Sequence, residues 1–351
     1  MTIAIDFVGT NTGSGTKTYN INFCNELEAA NLKEDIIIFI CKNYINQINF
    51  GKTKNSKIQY ILKPNLFYNI FIRLIWMQLV LPFELKFRGI KKLYSPMNFC
   101  PILSRLFKIK VILALHSNLP WVYFNLMPGN LVRNFITKKF MELSITICEI
   151  LIVDSYFAKD EIANILKLNK DKIKVIYLGI NRKFLSSEKS KSFINNFDYK
   201  EKYIISVLSC VKYHNILNLL KAYKILIKEI NFKIKFVLVL QILDKKYFST
   251  VESFIKNNFE KNNIILMNNT ESKNLLNLYK YSQLYVFTSY CEVFGLTSLE
   301  AMSQSCPVLI SETSALPEIN GNAADYFNPD DIIEIKDKIK KNLTDKNFRS
   351  N

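Results

Sequence analysis

The sequence predicts an α/β protein built as two doubly wound, Rossmann-like parallel-sheet domains, and three observations carry that expectation. Short β-branched or aromatic runs alternate with stretches of helical periodicity, as they do when parallel strands are joined by crossover helices. The length of 351 residues, with 49% hydrophobic and 22% charged residues, is enough for two buried cores. Residues 186–200 are rich in Ser, Lys and Asn and read as a linker, so 1–185 and 201–351 are expected to be the two domains.

The first element is the strand Ile3-Ala4-Ile5-Asp6-Phe7-Val8, which has no basic leader before it and is not expected to be a signal peptide. A glycine loop follows, Gly9-Thr10-Asn11-Thr12-Gly13-Ser14-Gly15-Thr16-Lys17, and then a helical pattern through Ile21, Phe23 and Leu27. Strand, glycine loop and helix form a phosphate-approach geometry. The loop fails the P-loop pattern because Thr16 separates Gly15 from Lys17, and it lacks the third glycine of a dinucleotide fingerprint.

The stretch from Leu66 to Leu81 is apolar and aromatic, with Lys86, Arg88, Lys91 and Lys92 behind it. It is too short and too interrupted to span a bilayer. Two readings stay open: a core helix of the first domain, or an interfacial helix whose basic flank rests on anionic lipid. The net charge of +17, from 47 Lys and Arg against 30 Asp and Glu, suits an anionic membrane surface or phosphorylated substrates. No RNA-binding signature, helix-turn-helix or basic-aromatic repeat is present, so nucleic acid is not an expected partner. Seven scattered cysteines without a Cys-x-x-Cys pair suggest neither a zinc site nor a disulfide framework, and fit a reducing cytoplasm.

The strand Lys110–Leu115 ends at His116, and ligands of such sheets gather at the carboxyl ends of strands. A lone histidine there is either a cleft residue or a buried side chain satisfied by backbone. The run Ile150-Leu151-Ile152-Val153-Asp154-Ser155 reads as another strand, Ser155 is placed to cap a helix through Leu166, and the run Lys174–Asn181 closes the first domain. The second domain opens with the strand Tyr203–Leu208 and the loop Ser209-Cys210-Val211-Lys212-Tyr213-His214-Asn215, and continues through the strand Ile234–Leu240 and the segment Asn263–Thr270.

The densest stretch is Leu284–Phe287, a strand, followed by Ser289-Tyr290-Cys291-Glu292-Val293-Phe294-Gly295 and a helix through Leu296, Leu299, Glu300 and Met302. Amides of Phe294, Gly295 and Leu296 at the start of that helix can point outward, with the positive end of the helix dipole behind them, as an anion site. Glu292 and Glu300 flank it and can each accept hydroxyl hydrogen bonds from a polyol. Spacing alone favours a plainer reading, with Glu292 a loop carboxylate in solvent and Glu300 a surface helix residue paired with a nearby lysine.

From Ser289 through Pro307-Val308-Leu309 and Leu316-Pro317-Glu318 to Asn328-Pro329-Asp330, the sequence resembles the nucleotide-sugar site of glycosyltransferase family 4, and Ile150–Asn181 resembles the end of that family's first domain. The resemblance implies a GT-B fold, two Rossmann-like domains facing across a cleft, with an acceptor side in the first and a nucleotide-sugar side in the second. It implies transfer of a sugar, with retention, from a nucleotide diphosphate sugar to a hydroxyl of a glycan or lipid-linked glycan, in surface polysaccharide synthesis at the inner face of the membrane. It gives Glu292 the donor-sugar hydroxyls, Glu300 the ribose, Phe294, Gly295 and Leu296 the diphosphate, and His116 the donor sugar. It makes Gly13 and Gly15 part of a loop over the cleft and brings Asn268 to the nucleobase. Ser209 and His214 stand where the family carries an arginine and a lysine, so Lys212 is expected to supply the charge and His214 one hydrogen bond to a phosphate oxygen. No cofactor and no metal are expected. Asn268, Leu208 and Ser305 replace family glycines, and Asn351 stands where relatives continue into a further helix. These departures motivate a rival, a degenerate, non-catalytic GT-B binding protein. A P-loop-like hydrolase and a sugar-nucleotide epimerase are weaker rivals.

Overall fold

The computed structural model describes residues 2–8, 14–48, 55–185, 194, 197–268, 270 and 272–345. Gly13 and most of the expected linker at 186–200 lie outside the described residues. The chain forms two compact units: Met1–Ser117 with Phe135–Asp154 and Lys159–Ile176, and Asn118–Asn134 with Ser155–Ala158 and Tyr177–Asn351.

The first unit holds a sheet of seven strands, β1 (Thr2–Phe7), β2 (Asp35–Cys41), β3 (Ile58–Lys63), β4 (Lys92–Ser95), β5 (Lys110–Leu115), β6 (Ile150–Val153) and β7 (Ile173–Val175). Their order is β3-β2-β1-β4-β5-β6-β7, and every pair is parallel. The central strands are apolar on both faces, with Phe7, Ile38, Phe39, Leu93, Leu113 and Leu151 all buried, as sheets covered on both sides require. Gly15 lies in the first turn of the helix Ser14–Ala29 that follows β1. The run Lys174–Asn181 is a strand only as far as Val175.

The apolar segment after β3 buries one side and exposes the other. A helical run starts at Ile70, where the Asn69 side chain accepts from the amides of Phe71 and Ile72. It continues through a π-helical turn, Trp76–Val80, into the helix Leu81–Phe87. Pro82 has no amide to donate back along the helix, which accounts for the irregular turn before it. Trp76, Met77, Leu81 and Leu85 are buried, and each contributes roughly 1.5–3 kcal/mol of apolar burial. On the other side Phe71, Ile75, Leu79, Phe83 and Phe87, four residues apart, are exposed, Phe71 at 74% and Phe87 at 85%.

The second unit holds six strands, β8 (Tyr203–Cys210), β9 (Lys235–Ile242), β10 (Ile264–Asn268), β11 (Leu284–Phe287), β12 (Val308–Ser311) and β13 (Asp325–Phe327), in the order β10-β9-β8-β11-β12-β13, again all parallel. Its core includes four fully buried tyrosines, Tyr203, Tyr223, Tyr279 and Tyr285. Their hydroxyls stay paired: Tyr203 donates to the Leu278 carbonyl at 2.8 Å and Tyr223 to the Ile234 carbonyl at 2.8 Å, as buried phenols must. In each sheet the strand order reverses once, between β1 and β4 and between β8 and β11. Such switch points are where ligands bind, beyond the carboxyl ends of the strands.

Candidate functional site

The switch point of the second unit is lined by the loop after β8 and the loop after β11. All four residues of β11 are buried, and the chain leaves it through Thr288 and Ser289, both fully buried. The Thr288 hydroxyl donates to the His214 carbonyl at 2.8 Å, tying the two loops together. The turn ends at Gly295, whose φ of 93° and ψ of 50° lie in the left-handed region. A Cβ there would sit 2.6 Å from Leu316 Cδ2, so both the conformation and the packing call for glycine.

The helix Leu296–Ser303 starts on that glycine with no acidic residue in its first turn. Ser298 closes the first bond, its amide and hydroxyl both donating to the Gly295 carbonyl, at 3.2 and 2.7 Å. Among the described residues, no acceptor meets the amides of Gly295, Leu296 and Thr297, and the dipole adds partial positive charge at that point. The arrangement suits an oxyanion such as phosphate.

Glu292 is fixed by its backbone, with its amide donating to Ser314 Oγ at 2.9 Å and its carbonyl accepting from Ala315 at 3.2 Å. Its side chain is 20% exposed, and Oε1 lies 3.2 Å from His214 Nε2. His214 ends the short 3-10 turn Lys212–His214 and is buried, with its ring against Tyr213 and Phe287. Its Nδ1 lies 2.7 Å from the Ser209 carbonyl, which can only accept, so Nδ1 carries a proton. Its Nε2 lies against the Glu292 carboxylate. Both ring nitrogens of His214 face protein acceptors, so the expected hydrogen bond from His214 to a phosphate oxygen would have to replace one of these contacts. Ser209 contributes its carbonyl rather than a cation. Lys212 is exposed and has no carboxylate partner among the described residues.

Glu300 stands about one turn into the helix and is part-buried. Desolvation pushes its carboxyl up to about 7, against one weak bond from the Tyr279 hydroxyl at 3.4 Å. The Asn328-Pro329-Asp330 turn is pinned to the same place. Asn215 Nδ2 donates to the Pro329 carbonyl at 2.7 Å and the Tyr290 hydroxyl to Asp330 at 2.7 Å. Glu318 accepts from the amides of Tyr156 and Phe157 and from the Tyr177 hydroxyl, and the Tyr177 ring lies 5.8 Å from that of Phe294. Sequence reading did not anticipate Tyr177, Tyr279 or Tyr290 as supports. Asn268 ends β10 and is exposed; β9 and β8 separate it from β11, a distance of about 14 Å at ordinary strand spacing.

In the first unit, His116 follows β5 and Asp154 follows β6. The His116 Nδ1 lies 2.9 and 3.1 Å from the two carboxylate oxygens of Asp154, a partner the sequence reading did not assign. The His116 amide donates to Asn98 Oδ1 at 2.6 Å, and its ring lies 4.6 Å from that of Tyr19.

Comparison with known proteins now bears on this geometry. Residues 187–351 match the family described as glycosyl transferases group 1. Over 335 residues the chain is 23% identical to the O-antigen chain mannosyltransferase RfbU of Salmonella typhimurium, covering 93% of this chain and 87% of that protein. Over 198 residues it is 26% identical to the serotype-specific mannosyltransferase WbdA of Escherichia coli, covering 55% of this chain and 24% of that protein. Among solved structures it resembles sucrose-phosphate synthase from Thermosynechococcus elongatus, with TM-score 0.72, 16% identity and 99% and 93% of the two chains covered. It also resembles Anabaena HepE in complex with UDP and glucose, with TM-score 0.70, 13% identity and 99% and 92% covered. The fold is GT-B.

Proposed function

From a chain whose residues 187–351 match the glycosyl transferases group 1, we propose a retaining transferase that moves mannose from a nucleotide diphosphate sugar to a hydroxyl of an O-antigen-type glycan. The sugar class follows the mannosyltransferases named among its relatives. One observation supports the reading most: the Gly295-capped helix end at the β8/β11 switch point, with Glu292 before it and Glu300 one turn into it.

The diphosphate rests on the amides of Gly295, Leu296 and Thr297, beside Phe294, with Lys212 as the mobile cation. Glu300 accepts from the ribose hydroxyls, Glu292 from the sugar hydroxyls, and His116 meets a sugar hydroxyl. Asn268 lies on the nucleobase side. The bond from the anomeric carbon to phosphate breaks as the acceptor oxygen bonds to the same face, and the acceptor proton passes to the leaving phosphate oxygen. Preorganised amide donors stabilise the charge that grows there. Helix end and lysine supply this stabilisation from the protein's own groups, so no metal is required. In this reading residues 1–185 form the acceptor side, 186–200 the linker and 201–351 the donor side.

Calorimetric titration with GDP, UDP, CDP and ADP, without added metal, tests the donor site. One nucleotide is expected to bind, and Glu300→Ala to weaken it about tenfold, the worth of one charge-assisted bond. Absence of binding by all four favours the degenerate, non-catalytic scaffold, for which the lost arginine and lysine at Ser209 and His214 are the specific support.

The acceptor side is proposed to meet an anionic membrane surface at the cytoplasmic face, with no nucleic-acid partner. No helix among the described residues is long and apolar enough to cross a membrane. The exposed ridge from Phe71 to Phe87 instead stands beside Lys86, Arg88 and Lys91, all exposed. Replacing Lys86, Arg88, Lys91 and Lys92 by Ser is expected to weaken affinity for phosphatidylglycerol vesicles, read by sedimentation, on the order of 1,000-fold, since each of the four cations is worth about 1 kcal/mol at such a surface. Equal sedimentation of both proteins would remove the membrane from the proposal.

A further inference from the structure

Parallel register brings two residues of the first unit together at the carboxyl end of its sheet. Leu115 lies opposite Val153 in the β5/β6 ladder. The next residues, His116 and Asp154, therefore leave adjacent strands side by side. Asp154 is 1% exposed, and both of its oxygens face His116 Nδ1. Neither oxygen has another hydrogen bond among the described residues.

A buried, ionised carboxylate can only accept, so Nδ1 must donate to it. The rest of the ring's surroundings leave Nε2 alone. The Tyr19 hydroxyl is taken up by the Tyr94 hydroxyl at 2.6 Å, the Asn98 amide oxygen is taken up by the His116 backbone, and Nε2, itself buried, has no hydrogen-bond partner among the described residues. Backbone, ring face and Nδ1 are each fixed. Among the described residues, Nε2 is the one polar atom of the ring left without a partner.

We propose that Asp154 is a positioning residue that holds His116 as its Nδ1–H tautomer, so that Nε2 presents a lone pair and accepts a hydrogen bond from a substrate hydroxyl. The polarity matters for specificity. An Nε2–H would donate to any sugar or phosphate oxygen, whereas a lone pair requires a hydroxyl and is left unpaired by a deoxy analogue. A site whose buried group is left unpaired discriminates strongly. An isolated neutral imidazole favours the opposite tautomer, so the carboxylate is what sets the direction.

The substrate half of this inference rests on the transferase reading, and the tautomer half does not. The test is nitrogen NMR of the full chain labelled at histidine, at pH 8.5. The chain has two histidines, so His116→Asn identifies the His116 signals by their loss. A pyrrole-type Nδ1 and a pyridine-type Nε2 are expected in the wild type, with a shift toward the Nε2–H form in Asp154→Ala. A wild-type ring protonated at Nε2, alone or with Nδ1, overturns the proposal, and this reading stands whether or not the variant folds. In transfer assays with GDP-mannose, or the mannose donor carrying whichever base the titration identifies, Asp154→Ala is expected to lose at least tenfold in kcat with the nucleotide affinity unchanged. A twofold or smaller loss of kcat overturns the positioning role. Failure of every nucleotide to bind would strike the transferase reading and leave the tautomer result intact.

Discussion

Glu292→Ala is expected to lower kcat by on the order of 100- to 1,000-fold, the loss typical when one preorganised transition-state contact is removed. The reason lies in how the residue is held. Its backbone amide and carbonyl are fixed by Ser314 and Ala315, and neither bond needs the carboxylate. Among the described residues, the polar partner of its side chain is His214 Nε2, 3.2 Å away. Truncation therefore removes one polar contact at a part-exposed group, and His214 keeps its bond to the Ser209 carbonyl. The unfolding temperature is expected to move by no more than a few degrees, consistent with the modest worth of a single part-exposed pair. Glu292→Gln should fall between wild type and alanine, because the amide oxygen still accepts one hydroxyl without the charge. Turnover within twofold of wild type for the alanine variant would show that Glu292 does not touch the reacting sugar.

How much of this was legible in the sequence depends on how far apart the partners lie. The strands, the Gly295 turn and the helix Leu296–Ser303 follow from local pattern: apolar runs of the right length, and a glycine where a helix must start abruptly. The expectation of two parallel sheets is met by seven and six strands. The direction of a side chain is another matter. Lys212 and His214 look equivalent in sequence, two basic residues in one loop. The structure turns His214 inward onto Glu292, 78 positions away, and leaves Lys212 outside. Nothing local encodes that choice. Asp154 is the instructive omission, because a signal existed: two polar residues each follow a strand, and if those strands are neighbours the residues must meet. Strand order, which the sequence did not supply, was the missing term. The Phe71–Phe87 ridge was ambiguous for a related reason, since a helix apolar on both faces satisfies core and interface patterns at once.

Glu300→Gln is expected to make the free protein more stable and the donor site weaker, two effects of opposite sign from one carboxyl. In the folded state burial raises its pKa from 4.5 to about 7. A raised folded value favours the protonated form, so its contribution is fully present below the unfolded pKa and is lost as pH rises through about 7. At pH 8.5 the ionised side chain costs the fold roughly 2 kcal/mol, after allowance for its partial exposure. Glutamine does not carry that charge. The variant should melt several degrees higher than wild type at pH 8.5, by about 2–4 °C per kcal/mol, and the gap should shrink as pH approaches 4.5. Binding runs the other way. Only the ionised carboxylate makes charge-assisted bonds to ribose hydroxyls, so wild-type affinity for the preferred nucleotide should rise between pH 6 and pH 8. The glutamine variant should show no such rise and should bind about tenfold more weakly at pH 8. Stability and affinity are thus coupled through one proton, the nucleotide drawing from Glu300 the ionised form that the empty fold disfavours. Parallel pH profiles of affinity for wild type and variant would detach Glu300 from the ribose, and equal melting temperatures at pH 8.5 would show that its carboxyl is not strained by burial.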